Sequence, residues 1–130
     1  MLHKMENREE IENKFKNLEK DIEHVDSQLK AIEDGINEMA LLKEGLDELI
    51  GKNGEEVFAP IGRGIFIQAK ITSEDLLVNI GENKFIKKSI PQTKETIENQ
   101  IKKLKEIQER LTEEMRRIDK ELTQIIKNDD

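Results

Sequence analysis

The sequence lacks cysteine, tryptophan and tyrosine, and it contains only two prolines among 130 residues. The absence of cysteine excludes disulfide bonds, thiolate catalysis and cysteine-based metal sites. No apolar run approaches the ~20 residues that a membrane-spanning helix needs, and the N-terminal stretch lacks the apolar core of a signal peptide. We therefore expect a soluble, cytoplasmic protein with no membrane partner.

Segments of strong positive charge are also missing. The net charge is −7, and most of the acidic excess lies in residues 1–50, which carry 7 basic and 14 acidic side chains. Residues 51–89 carry 6 basic and 5 acidic side chains, and residues 90–130 carry 9 and 10. A protein that binds a phosphate backbone needs a basic patch. Nucleic acid is therefore not an expected partner.

Candidate catalytic groups are few and scattered. His3 and His24 are the only histidines and lie 21 residues apart, and His24 is interpreted as a helix-surface residue. The Asp and Glu residues are interleaved with Lys at the spacing of helix-surface ion pairs, which explains them better than acid–base catalysis. The segment Gly62-Arg63-Gly64 matches neither a dinucleotide loop nor a phosphate loop and is interpreted as a turn. We predict no catalytic, cofactor-binding or metal-binding residue and no enzymatic activity.

The chain does contain a long apolar repeat in each of two segments. In residues 1–50 and 90–130, apolar side chains recur at alternating steps of four and three, which is the spacing of a coiled-coil seam. The repeat comprises Ile11, Phe15, Leu18, Ile22, Val25, Leu29, Ile32, Ile36 and Met39 in the first segment, and Ile97, Ile101, Leu104, Leu111, Met115, Ile118, Leu122 and Ile125 in the second. We predict two long helices, which must be antiparallel if they pair because a compact segment joins them.

Polar residues and glycines interrupt this repeat. Lys43 falls at a seam position of the first helix. In the second seam, either Gln108 fixes the register or Ile107 covers the gap. Gly35 and Gly45 each mark a bend, a close contact or a tolerated defect.

The helix ends next to the central segment carry signals of their own. Ser89 precedes Gln92 by three residues, which is a capping-box pattern for the start of the second helix. Leu42 and Leu49 widen the apolar stripe of the first helix, which indicates that this end packs on a larger body.

Residues 51–89 do not follow the seven-residue repeat, and their short β-branched and aromatic runs alternate with turn residues. We predict four strands in two hairpins, at Val57–Ile61, Arg63–Ile71, Asp75–Ile80 and Lys84–Lys87. Alternation in the second run places Ile65, Ile67, Ala69 and Ile71 on one face and Phe66, Gln68 and Lys70 on the other. Open strand edges favour association with another chain, with Pro60 at an edge or a bulge. The alternative is a monomeric pair of hairpins folded against the helices.

The helix ends that lie away from the central segment carry apolar residues without a place in the seam. They are Met1, Leu2 and Met5 before the first repeat, and one member of the Ile125–Ile126 doublet. Methionine is flexible and polarizable, which suits a surface that binds dissimilar partners. The alternative is a pair of frayed termini with incidental apolar residues.

A long helix, four short strands and a returning helix resemble the alpha-type subunit of prefoldin, a hexameric chaperone of archaea and eukaryotes. The local match is a Val-x-x-Pro-Ile-Gly turn before a strand with an aromatic and a small residue, here Val57, Pro60, Ile61, Gly62, Phe66 and Ala69. A second hydrophobic strand that ends in Ile-Gly follows as Leu77, Val78, Ile80 and Gly81, before Phe85 and Ile86. Two hairpins rather than one are typical of the alpha type.

The resemblance implies an α+β fold in one domain, residues 1–130. A long antiparallel two-helix coiled coil, residues 1–50 and 90–130, would be joined by two β-hairpins, residues 51–89, that assemble into a β-barrel in an oligomer. The candidate oligomerisation residues are Val57, Ile61, Ile65, Ile67, Val78, Ile80 and Phe85. The implied complex contains two alpha-type and four beta-type subunits and no cofactor.

The resemblance also implies an ATP-independent holdase that captures unfolded proteins at the coil ends and passes them to the cytosolic, group II chaperonin. The candidate client-binding residues are Leu2, Met5, Leu122, Ile125 and Ile126. Prefoldin-like filament or spacer proteins share the two-hairpin plan, and a structural role of that kind is the alternative function.

Overall fold

A computed structural model describes the backbone of residues 2–128 and the side chains of residues 7–128. Its elements, in chain order, are α1 (Leu2–Leu49), β1 (Glu56–Gly62), β2 (Ile65–Lys70), β3 (Leu76–Gly81), β4 (Lys84–Lys88) and α2 (Ile90–Asn128). Strands β1 and β2 form one antiparallel hairpin, and β3 and β4 form a second. The predicted arrangement of two long helices with two small antiparallel hairpins between them is confirmed.

Helix α2 begins at the predicted capping box. The Ser89 Oγ accepts a hydrogen bond from the backbone N–H of Gln92 at 3.2 Å, and the Gln92 Oε1 accepts one from the backbone N–H of Ser89 at 3.2 Å. These two bonds satisfy donors that have no partner within the helix. The start of α2 is therefore fixed by a local sequence signal.

The first hairpin turns at Arg63 and Gly64, as the interpretation of this segment as a turn required, so β2 begins at Ile65 and not at Arg63 as predicted. Both residues have positive φ angles, 50° and 77°, and they connect paired residues Gly62 and Ile65. Positive φ at both central positions suits the right-handed twist of a two-residue hairpin loop. A register shift between Pro60 and Gly62 marks a bulge, which agrees with the position expected of the proline.

The chain forms two compact units, and the first comprises the described residues up to Ile36 and from Lys102 onward. Its core contains Leu18, Val25 and Ile118, with Ile22, Leu29, Leu111, Met115, Leu122 and Ile125 packed around them. All nine residues belong to the predicted repeats. The core of the first unit is therefore formed by the two apolar repeats, as expected of a coiled coil.

The second unit, Asn37–Ile101, has a separate apolar core. Leu46, Ile90 and Ile97 are buried there, and Met39, Leu49, Leu76 and Ile101 pack against them. Leu49 thus widens the α1 stripe as expected, whereas Leu42 is exposed. Leu76 brings β3 into contact with the helices, and the single-domain organisation stays a prediction.

Candidate functional site

An open apolar groove lies in the first unit, between the N-terminal part of α1 and the C-terminal part of α2. Its volume is about 500 Å³. The residues that line this terminal groove are Ile11, Glu12, Phe15, Lys16, Glu19, Ile125 and Ile126. The lining of the groove therefore combines aliphatic and aromatic side chains with charged side chains of both signs.

The groove forms because the α1 seam becomes progressively exposed toward its N-terminal end. Leu18 is buried in the core, Phe15 is half-buried, and Ile11 is 37% exposed. On α2, Ile125 packs against the core while Ile126 is 59% exposed. The expectation that only one residue of the doublet lies centrally in the seam is confirmed.

The candidate client-binding residues differ in their accessibility. Ile126 is open, whereas Leu122 and Ile125 are half-buried against the core of the unit. Leu2 and Met5 lie outside the residues whose side chains are described. Sequence reasoning assigned Phe15 only to the seam, because its exposure depends on where the paired helix stops covering it.

One face of the first hairpin collects aliphatic side chains. Cross-strand pairing places Val57 opposite Ala69, and Ala59 opposite Ile67. Ile65 follows the alternation of β2 onto this face, and Ile61 lies at the bulge beside it. The structure thus brings together the four candidate oligomerisation residues of this hairpin, which are Val57, Ile61, Ile65 and Ile67. We call this surface the aliphatic face.

The opposite face of the first hairpin is also apolar over half its length. Phe58 and Phe66 are 72% and 58% exposed. This aromatic face consists of the cross-strand pairs Glu56 with Lys70, Phe58 with Gln68, and Pro60 with Phe66. A hydrogen bond from Gln68 Nε2 to Glu56 Oε2 at 2.8 Å shows that these two side chains lie on the same face. Alternation grouped Phe66 with Gln68 and Lys70, but the register was needed to add Phe58 and Pro60.

The second hairpin divides its candidate oligomerisation residues between two faces. Val78 pairs with Ile86, and Ile80 follows Val78 at a second bulge. Phe85 pairs with Asn79, on the face opposite Val78. Leu77, Ile80 and Phe85 are all exposed. Apolar side chains on both hairpins therefore remain open to a further protein surface.

Two ion pairs join α1 to α2 in the second unit. The Lys43 Nζ lies 2.8 Å from Glu98 Oε1, and Lys94 pairs with Asp47. The hydrogen bond and charge of Lys43 hold the pKa of Glu98 below its ordinary value, and the same bond raises the pKa of Lys43. Lys43 therefore occupies a seam position by directing its charged end toward a carboxylate on the other helix.

Within residues 7–128, no group of three or more His, Cys, Asp or Glu side chains is arranged to hold a metal ion. His24 is exposed on α1, as its interpretation as a surface residue required. None of the helices in the described part of the chain is both long and apolar enough to span a membrane.

Comparison with known proteins agrees with this arrangement. A family model described as Prefoldin subunit matches residues 6–128. Prefoldin subunit alpha of Methanobrevibacter smithii is 34% identical over 83 residues, which cover 63% of this chain and 57% of that protein. Prefoldin subunit alpha of Methanosphaera stadtmanae is 26% identical over 97 residues, which cover 72% of this chain and 70% of that protein. Prefoldin subunit alpha 1 of Thermococcus kodakarensis is 30% identical over 96 residues, with coverage of 72% and 66%.

A solved structure shares the fold. A chain from the cryo-EM structure of filamentous PFD from Methanocaldococcus jannaschii superposes with a TM-score of 0.78 and is 18% identical. The superposition covers 90% of the present chain and 98% of that one. Two long helices with two intervening hairpins are thus an arrangement that occurs in an experimentally determined protein.

Proposed function

This chain belongs to the prefoldin family as an alpha-type subunit, and we propose that it is part of an ATP-independent holdase for unfolded proteins. The observation that carries the proposal is the terminal groove, where Ile11 and Ile126 are exposed in a chain with 39% charged residues. Non-native proteins expose apolar segments, which gain free energy when such a groove removes them from water. Several weak grooves in one complex would add their contributions through avidity.

The complex is proposed to contain two copies of this chain and four beta-type prefoldin subunits. The exposed apolar side chains of both hairpins support assembly through this part of the molecule. An isolated two-stranded hairpin is marginally stable in water, so pairing with further strands would stabilise it. Closure of such strands into a β-barrel would remove their free edges. The proposed recipient of captured proteins is a group II chaperonin in the cytoplasm.

Substitution within the groove tests client binding. The combination of Ile11→Ser and Ile126→Ser should remove most of the suppression of aggregation of a chemically unfolded model protein by the assembled complex. Leu2→Ser with Met5→Ser forms a second variant, because these residues belong to the same predicted surface. Leu122 and Ile125 are left unchanged because they support the core. Ile107→Ser is the matched control, since Ile107 is an exposed isoleucine of α2 outside the groove.

Two results would contradict the proposed function. Full suppression of aggregation by both the Ile11/Ile126 variant and the Leu2/Met5 variant, in complexes of unchanged mass, would refute the proposed client-binding residues. Long polymers of this chain alone, which ignore a beta-type subunit and protect no unfolded protein, would instead support the structural filament or spacer.

A further inference from the structure

The loop between α1 and β1 contains the dipeptide Asn53-Gly54, and Asn53 is the only asparagine of the sequence that precedes a glycine. The side chain of Asn53 is exposed, and a Cβ built on Gly54 would meet nothing within 4 Å. Because glycine lacks a side chain, its backbone nitrogen can approach the side-chain amide of the residue before it. The two residues therefore carry the components of a spontaneous reaction, deamidation, which the proposed chaperone function does not use.

Deamidation joins the backbone nitrogen of Gly54 to the Cγ of Asn53. The new N–Cγ bond closes a cyclic imide, the Cγ–Nδ2 bond breaks, and Nδ2 leaves as ammonia with the proton that the Gly54 nitrogen releases. Water then hydrolyses the imide at either of its carbonyl groups and gives aspartate or isoaspartate. The reaction consumes only water, so it needs no cofactor, oxidant or catalytic residue.

The first hairpin holds the attacking nitrogen in a hydrogen bond. The Gly54 N–H donates to the Ile71 carbonyl oxygen at 2.7 Å, and the Ile71 N–H donates to the Glu55 carbonyl oxygen at 3.0 Å. The Glu55 N–H donates to the Lys52 carbonyl oxygen at 3.0 Å, which closes a turn around Asn53 and Gly54. We call these three bonds the hairpin base. A hydrogen-bonded amide retains its proton, so the intact hairpin base opposes deamidation.

The hairpin base is weakly supported in the separate chain. Residues 51–58 are all exposed, and a two-stranded hairpin is marginally stable in water. Segments with exposed backbone hydrogen bonds and few apolar contacts open at low cost in free energy. Further strands would hold the hairpin closed, and this step rests on the proposed assembly with beta-type subunits. The assembly state of the chain should therefore set how often the Gly54 nitrogen is released.

We propose that Asn53 is a site of spontaneous modification whose rate is controlled by opening of the hairpin base. A chain within the complex is protected, whereas a chain that stays unassembled converts Asn53 to isoaspartate. Isoaspartate adds a carbon to the backbone before Gly54, which displaces Gly54 from Ile71 and prevents the hairpin base from closing. The modification is thus an irreversible mark that lowers the ability of an unassembled chain to enter the complex.

Incubation at mildly alkaline pH tests the site and its control by folding. Three samples are compared, which are the native full chain, the full chain in concentrated denaturant and the complex with a beta-type subunit. Peptide mass spectrometry measures conversion at every asparagine. In denaturant, Asn53 should convert faster than each of the other asparagines, which serve as internal controls. Folding should slow conversion of Asn53 at least about tenfold, and the complex should slow it further.

Hydrogen exchange gives an independent measure of the same opening. The Gly54 amide exchanges its proton only when its bond to Ile71 is broken. Folding should therefore slow exchange at Gly54 and deamidation at Asn53 by the same factor. This comparison uses the unchanged chain, so it does not depend on the folding of a variant.

Substitution of Ile71 opens the hairpin base without altering the reacting residues. Ile71→Pro removes the N–H that bonds to Glu55 and should raise the rate at Asn53 toward its value in denaturant. Lys87→Pro is the matched control, because Lys87 is exposed on β4 of the second hairpin, and it should leave that rate unchanged. After incubation, the unchanged chain should lose assembly in proportion to its isoaspartate content, whereas Asn53→Gln should retain it.

The proposal is overturned if Asn53 converts no faster in denaturant than the other asparagines, or if folding protects Gly54 from exchange without slowing deamidation. It is also overturned if chains that contain isoaspartate assemble fully. Failure of the proposed function has a different signature, which is undiminished protection of unfolded proteins by the groove variants. The rates of deamidation and exchange do not depend on any client.

Discussion

Lys43 shows how a single polar residue is accommodated in a seam that otherwise contains apolar side chains. Lys43 is half-buried and its Nζ reaches Glu98 of α2, and Asp47 and Lys94 form a second pair nearby. The charges alternate between the helices, so that each cation faces a carboxylate. A slip of one helix along the other would separate both pairs. These residues thus favour one register in a seam whose apolar contacts are repetitive.

The pair between Lys43 and Glu98 predicts a pH dependence of stability. The folded pKa of Glu98 is lowered from 4.5, so its contribution is present above that pH and is lost as the pH falls through the folded value. The folded pKa of Lys43 is raised from 10.5, so its contribution is present below that pH and is lost as the pH rises through the folded value.

We expect Glu98→Gln to lower the melting temperature at neutral pH and to have no effect at strongly acidic pH, where the carboxyl is neutral in both states. Thermal melts of both proteins from acidic to neutral pH would measure the difference. Glu95→Gln is the control, because Glu95 is exposed one turn earlier on the same helix. A difference between Glu98→Gln and the unchanged protein that persists at acidic pH would show that the carboxylate charge is not its source.

Gly35 lies within a helix at a position where a side chain has room. A Cβ added there would lie 3.6 Å from Leu104 Cδ1, which is an ordinary van der Waals distance. The backbone therefore does not require glycine for a close contact. Because glycine costs a helix interior about 1 kcal/mol relative to alanine, we predict that Gly35→Ala raises the free energy of unfolding by about that amount.

Denaturant unfolding would measure the increase in the free energy of unfolding caused by Gly35→Ala. Gly35→Leu supplies the contrast, because its longer side chain must displace Leu104 and should lose the gain. Gly45→Ala should be stabilising as well, since nothing lies within 4 Å of the added Cβ. Loss of stability in Gly35→Ala would indicate that the glycine serves a bend.

At the scale of elements, the cap at the N-terminus of α2 allows the effect of a substitution on stability to be predicted. Ser89→Ala removes the oxygen that accepts the N–H of Gln92, and we expect a loss of about 1 kcal/mol in the free energy of unfolding. Ser89→Gly should cost only roughly a few tenths of that, because water can reach the same N–H. Chemical denaturation of the three proteins provides the measurement. Equal losses for Ala and Gly would point to packing of Ser89 rather than capping.

The elements differ in how far sequence alone determined them. The seams and the Ser89 cap were predictable because helix periodicity and capping are local, and the Gly62-Arg63-Gly64 turn was predictable for the same reason. Membership of a hairpin face depends on which residues oppose each other across two strands. The bulge next to Pro60 sets that register, and a sequence pattern does not fix it. The aromatic face therefore emerged only from the paired strands.

The terminal groove was only partly predictable for a related reason. Ile126 stood out because a doublet offers two apolar residues to one seam position. Phe15 did not, because it holds a regular place in the repeat and its half-exposed state reflects incomplete cover by the facing helix. Heptad position thus predicts which way a side chain faces, whereas the extent of its burial depends on the neighbouring helix.

At the scale of the whole molecule, the apolar side chains of the helical seams and those of the hairpins differ in their burial. Those of the helical seams contribute to two cores within the chain. Leu18 and Ile118 are buried in the first, and Leu46 and Ile97 are buried in the second. Those of the hairpins are exposed or at most half-buried, so that, apart from Leu76, which packs against the second core, they contribute little to the stability of the separate chain. Folding of the helices and assembly through the hairpins should therefore respond to different substitutions.

Two isoleucines that differ in burial test whether folding and assembly depend on different residues. Ile67 is 55% exposed on the aliphatic face, and Ile97 is 5% exposed in the second core. Ile67→Thr keeps a β-branched side chain in the strand and should change the free energy of unfolding of the chain alone by less than about 0.5 kcal/mol. Ile97→Thr places a hydroxyl in an apolar core and should cost about 2 to 4 kcal/mol.

Assembly with a beta-type subunit should show the reverse order. Ile67→Thr should strongly reduce the yield of the mixed complex, because the aliphatic face is the proposed barrel interior, whereas any folded Ile97→Thr chain should still assemble. Melting of the chain alone and native mass of the mixture measure the two effects. If Ile67→Thr destabilised the separate chain as much as Ile97→Thr does, Ile67 would contribute to the folding of the monomer. The prediction that the aliphatic face acts only in assembly would then be wrong.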